Sequence, residues 1–141
     1  MSDTVREGDD KLCEDEVVGH LAAWFRLQGF AITKETRGHH HGIDMDVVRN
    51  GERIVVEAKG ARGNKSTRKH DYFDQNQIKV HLGMALVKAL ELKLKHPEAI
   101  VAIAHPEDDL VKRTIGRLVE QLAGMGIRHY WVSGTGSVTV V

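Results

Sequence analysis

The chain has a single cysteine, Cys13, among its 141 residues, so no internal disulfide can staple it. A lone thiol beside an acidic helix start is expected to be inert, and a reducing cytoplasm is its natural compartment. Neither sign of charge is in excess. The 20 Lys and Arg balance the 20 Asp and Glu, which argues against a protein that coats nucleic acid by bulk attraction. No apolar run approaches the roughly 18 residues of a membrane span. The N-terminal MSDTVREGDDK has no signal-peptide character, so no membrane partner is expected. Only two prolines occur, Pro97 and Pro106, and each reads as a helix boundary. What remains, 41% apolar and 28% charged, is an ordinary globular composition. It predicts an acidic disordered tail over 1–11 and one domain over 12–141.

Apolar spacing predicts a helix from Leu12 to Gln28 stopped by Gly29, then a short strand from Phe30 to Lys34. Two β-type stretches follow at about 43–49 and 52–59. Asp71 or Asp74 is expected to cap a long helix reaching Lys95, with Val80, Met84, Leu86, Val87, Leu90 and Leu94 as its apolar stripe. AIVAIAH (99–105) reads as a strand covered on both faces. Pro106 is expected to open a third helix ending near Ala123, and IRHYWV and SVTVV to be the last strands. The order α-β-β-β-α-β-α-β-β is that of an α/β fold, a mixed central sheet flanked by helices.

The most informative segment is GIDMDVVRNGERIVVEAKG. Asn50-Gly51 between apolar alternations is a strong hairpin signal, because a type I′ turn needs φ > 0 at both central residues. That turn pairs Arg49 with Glu52 and, by extension, brings Asp44 opposite Glu57. Directly opposed side chains share a face, with Cβ atoms about 4.5–5.5 Å apart. Lys59 points the same way by the strand period. Facing carboxylates repel unless something positive lies between them, and a hard divalent cation with an ammonium beside it would serve.

Gly42-Ile43-Asp44 followed by Ile54-Val55-Val56-Glu57-Ala58-Lys59 resembles the motif of the PD-(D/E)xK nucleases, the restriction-endonuclease-like superfamily. Gln28-Gly29-Phe30-Ala31-Ile32 resembles the end of that family's first helix and its first strand. The carboxylate spacing is similar to that of archaeal Holliday-junction resolvases, and Mrr-like endonucleases are related in kind. The match covers roughly residues 14–60. It implies a restriction-endonuclease-like fold and a metal-dependent DNA endonuclease of repair, recombination or restriction type. In that reading Asp44, Glu57 and the Ala58 carbonyl hold Mg²⁺ or Mn²⁺, with no organic cofactor, and Lys59 orients and deprotonates the attacking water. Ile43 stands where the motif name has proline. The family's helix-one acid falls among Glu14, Asp15 and Glu16, with Glu16 favoured, and Asp46 is a further candidate ligand. A catalytically inactive nuclease-fold protein that binds nucleic acid or a protein partner is the alternative.

Charge distribution adds a candidate DNA surface. Residues 59–69 carry Lys59, Arg62, Lys65, Arg68 and Lys69 without one acid, beginning at the proposed site. Gln75, Gln77 and His41 are further candidate nucleic-acid contacts. His39-His40-His41 does not read as a zinc site, because consecutive extended residues alternate sides. Gly60 to Ser66 is not a phosphate-binding loop, because Asn64 separates Gly63 from Lys65. No separate recognition module is evident, so sequence-specific cutting would call for a homodimer or partner subunits, and a symmetric homodimer cutting two strands is expected.

Overall fold

The computed structural model describes residues 10–35, 42–64 and 71–141. Helix α1 (Glu14–Leu27) leads into β1 (Ala31–Glu35), β2 (Met45–Arg49) and β3 (Glu52–Ala58). Then come α2 (Gln75–Lys95), β4 (Ile100–Pro106), α3 (Asp109–Gly124), β5 (Ile127–Val132) and β6 (Val138–Val140). The six strands form one sheet in sequence order. β1, β2 and β3 are antiparallel neighbours, β3, β4 and β5 are parallel, and β6 returns antiparallel. The parallel pairs are those joined by helices, as crossovers require.

Strand alternation sends side chains to two separate cores. Met45, Val47, Ile54, Val56, Ala58, Ala102, Ala104, Tyr130 and Val132 pack with Val17, Val18, Leu21 and Phe25 of α1. Val55, Val101, Ile103, Ile127 and Trp131 pack against α2 and α3 on the other side. Phe25 joins Trp24, Phe30 and Tyr130 in edge-on and tilted ring contacts at 5.2–5.7 Å, with Phe25 buried and Trp24 packed against the core. No described helix is long and apolar enough to cross a membrane.

The β2–β3 turn has positive φ at Asn50 (49°) and Gly51 (81°), the backbone signature of the expected type I′ turn. Register follows from it: Arg49↔Glu52 through Met45↔Val56. Three expectations need correction. The acidic tail does not extend to 11, because the Gly134 N–H donates to Asp10 and Lys11 pairs with both Asp108 oxygens at 2.9 Å. Pro106 closes β4 instead of opening α3; Asp108 caps that helix by accepting from Leu110 and Val111. The stripe assigned to the α2 core points outward. Ile78, Leu82, Ala85, Ala89 and Leu92 are the buried face, while Val80, Met84, Val87, Leu90 and Leu94 are exposed and Leu86 is half-buried.

Candidate active site

Asp44 and Glu57 lie at the end of the hairpin on the sheet face covered by α2 and α3, and they are 6% and 8% exposed. Asp44 accepts a hydrogen bond from the Ala58 backbone N–H at 2.8 Å, which fixes one carboxylate against the neighbouring strand. Burial, followed by a hydrogen bond to Asp44 and its charge, pushes the Glu57 carboxyl up to about 9. Glu57 therefore favours its protonated form, as one of two carboxylates forced together out of water must. The charge on Lys59 acts in the opposite direction on Glu57. The Lys59 backbone N–H donates to the Ala104 carbonyl at 2.9 Å, so parallel pairing with β4 continues past the end of β3.

The third acid of the cluster is Glu14. Burial and the Asp44 charge raise its carboxyl to about 7, and Lys59 opposes them. Sequence reasoning favoured Glu16, and the structure corrects this. Cys13 is the N-cap of α1, which makes Glu16 the reciprocal member of a capping box; its Oε1 accepts from the Cys13 N–H at 3.0 Å. The same oxygen pairs with Arg62. Although burial raises the Glu16 carboxyl, the Cys13 hydrogen bonds and the Arg62 charge hold it below its usual range. Glu16 and Arg62 therefore lock the start of α1 to the segment after β3. Arg62 also donates to the Lys11 carbonyl, so it is a brace and not an open phosphate contact.

Two further candidates are likewise committed elsewhere. Asp46 receives both Nε and Nη2 of Arg53, at 3.0 and 2.6 Å, in a fork-to-carboxylate pair. It is thus removed from the metal-ligand set. Gln77 exchanges hydrogen bonds with Asp74 in the capping box of α2, at 2.8 and 2.9 Å. Gln75 is exposed at the same helix start. His41, Lys65, Arg68 and Lys69 lie outside the described residues.

Sequence reasoning missed a histidine group behind Lys59. His105 and His129 are both 1% exposed, with His105 Nδ1 and His129 Nε2 2.9 Å apart. Burial pushes His129 down to about 3 and His105 well below its ordinary value, with help there from the charges of His129 and Lys59. His81 of α2 packs edge-on against Phe73 and is lowered by burial and by Lys59. Burial thus disfavours the charged form of all three rings. Their strand positions were visible, but only the parallel β3–β4–β5 register brings them together.

Among the described residues no three imidazole, thiol or carboxylate groups converge closely enough for a closed metal cage. A magnesium-type ion does not require one, since it keeps several waters and is held by one or two carboxylates. Asp44 and Glu57 fit that demand, because two buried carboxylates side by side raise the proton affinity of Glu57, and an oxygen-seeking cation would take that proton's place. The proton also carries a prediction. The unfolded Glu57 titrates near the ordinary 4.5 and the folded one near 9, so the folded state binds the extra proton between those values. Glu14, raised to about 7, has the same sign. This stabilisation is present below pH 4.5 and is lost as pH rises through 7 to 9. Metal-free protein should therefore melt at falling temperature from about pH 5 to about pH 9. Glu57→Gln, a neutral isostere, should flatten that slope and melt higher than wild type at pH 8. Parallel pH profiles of the two proteins by calorimetry would refute the assignment.

The same fold is seen in the crystal structure of an XisH family protein from Nostoc punctiforme PCC 73102. That chain is 16% identical, covers 88% of this chain and 96% of its own length, and superposes with a TM-score of 0.57. At that identity the likeness shows the α/β fold alone. No protein-family model and no curated protein matches the sequence.

Proposed function

We propose that this protein is a divalent-metal-dependent phosphodiester hydrolase acting on DNA, with Asp44, Glu57 and Lys59 as its centre. The observation that carries this reading is the buried Asp44–Glu57 pair at the end of the hairpin, with Asp44 fixed by the Ala58 N–H and Lys59 next in the chain. A restriction-endonuclease-like assignment agrees with the mixed six-stranded sheet and with the shared fold. Mg²⁺ or Mn²⁺, when bound, supplies Lewis acidity to the phosphoryl oxygens and lowers the pKa of its bound water. Asp44, Glu57 and the Ala58 carbonyl are the oxygens offered to it. Asp44 is pre-oriented by the Ala58 N–H, which lowers the reorganisation needed to bind. Lys59, as an ammonium, places a cation where charge grows on the phosphate and holds the attacking water in position. Glu14 closes the cluster from α1, and its raised pKa suits a group that takes or returns a proton near neutrality. Supercoiled, linear, single-stranded and four-way-junction DNA incubated with Mg²⁺ or Mn²⁺ tests the reading. Cleavage of at least one is expected, and none by any combination would overturn it.

With Arg62 committed to Glu16, the DNA backbone needs other cations. A cleft of about 640 Å³ is lined by Lys79, Lys112, Arg113, Arg117 and Trp131, with Glu120 the one acid. None of the site carboxylates lines it. It is nevertheless linked to the site, because His105, which feels Lys59, lies 6.2 Å from the Trp131 ring, and Lys112 sits over that ring. Changing Lys79, Arg113 and Arg117 to Ala should weaken DNA binding and make its salt dependence shallower by about 2–3 in log–log slope. Fluorescence anisotropy across a salt series reads this; an unchanged slope would exclude the cleft from the DNA path.

A further inference from the structure

We infer that the outward face of α2 is the two-fold contact between two copies of this chain. Along α2, Val80, Gly83, Val87, Leu90 and Leu94 recur with a three–four spacing, and Met84 lies beside them. The buried face, Ile78, Leu82, Ala85, Ala89 and Leu92, repeats at the same spacing two positions out of phase, about 200° around the helix. A helix apolar on opposite sides is one buried on both. The sheet covers one side only. Exposure on the other runs from 39% at Leu90 to 84% at Leu94, with Val80, Met84 and Val87 between them.

Among the described residues nothing covers that stripe. The segments outside the described residues, MSDTVREGD, TRGHHH and KSTRKH, offer only Met1 and Val5 as large apolar side chains. A second copy has what is needed. The five side chains present about 500 Å² of apolar surface per copy, so full cover in a symmetric pair would bury about 1,000 Å², where specific interfaces begin. A two-fold contact uses one patch against itself, which a continuous stripe on a straight helix satisfies. Gly83 lies within the stripe, and a Cβ there would touch nothing within 4 Å. Glycine is a poor choice in an exposed helix interior, yet it lets a second backbone approach closely. A formal net charge of zero leaves two copies without net repulsion. Glu91 is the one charge on the stripe.

Sedimentation of the full chain across the micromolar range tests this. Wild type should run as a dimer, and Val87→Glu as a monomer with an unchanged far-UV spectrum. Leu27→Glu, at an exposed apolar position on α1, should remain dimeric. Val87 is the midpoint of the stripe and so lies nearest the two-fold axis. Val87→Cys should therefore cross-link to its own copy on mild oxidation, while wild type, whose Cys13 is buried, should not. A wild type that is monomeric throughout overturns the inference, whether or not it binds anionic phospholipid vesicles. So does a dimer that survives Val87→Glu and fails to cross-link through position 87. The inference does not rest on the nuclease reading, and Lys59→Ala should dimerise like wild type.

Discussion

Lys59→Ala is expected to leave the fold intact and to lower DNA cleavage by about 10²–10³-fold, the usual range for removing one donor aimed at developing charge. The fold should survive because the backbone bond from Lys59 to Ala104 does not involve the side chain, which is only half-buried. Chemistry should fail because Lys59 is the cation whose charge opposes the proton affinity of both Glu57 and Glu14. Without it both carboxyls hold their protons more tightly, so metal binding should also shift to higher pH. Lys59→Arg separates the two roles. It keeps the charge, and therefore the metal affinity, but its planar guanidinium cannot reproduce the compact contact of the ammonium with water and phosphate. Single-turnover cleavage with Mn²⁺ titration reads both. Undiminished cutting by Lys59→Ala would remove the residue from the mechanism.

Gly60→Ala is expected to destabilise the protein by about 1–3 kcal/mol, the range found for overpacking a close contact. A Cβ at this position would stand 2.6 Å from Glu14 N, 2.9 Å from the Cys13 carbonyl carbon and 3.0 Å from the Arg62 oxygen. All three are backbone atoms and cannot rotate aside. Relief requires the start of α1 to move away from the end of β3, which would draw Glu14 out of the carboxylate cluster. The melting temperature should fall by about 3–10 °C, and the Glu14 carboxyl should return toward its ordinary range. Gly63→Ala is the control, since a Cβ there meets nothing within 4 Å. Equal melting of the two variants would show that α1 has room to yield.

What the sequence disclosed and what it hid follow from how local each determinant is. The Asn50-Gly51 turn sets the β2–β3 register by itself, so the opposition of Asp44 and Glu57 was readable before any fold was known. Choosing among Glu14, Asp15 and Glu16 depended on where α1 begins. Cys13 in the place of the usual Ser or Thr concealed a capping box, and that box claims Glu16. On α2 the larger side chains misled. The buried stripe contains Ala85 and Ala89, while bulkier Met84, Val87 and Leu94 point outward. The histidine pair was hidden for a different reason. His105 and His129 are 24 residues apart and meet through parallel pairing, which no short-range pattern encodes.

The borders of the sheet have a consequence of their own. β1 carries a register irregularity between Ile32 and Lys34, and β6 is only three residues long. A kinked margin and a stub are both poor templates for recruiting another strand. The molecule is thereby shielded from the open-ended stacking that leads to fibres, and crowding of many copies should not zip them into a continuous ribbon.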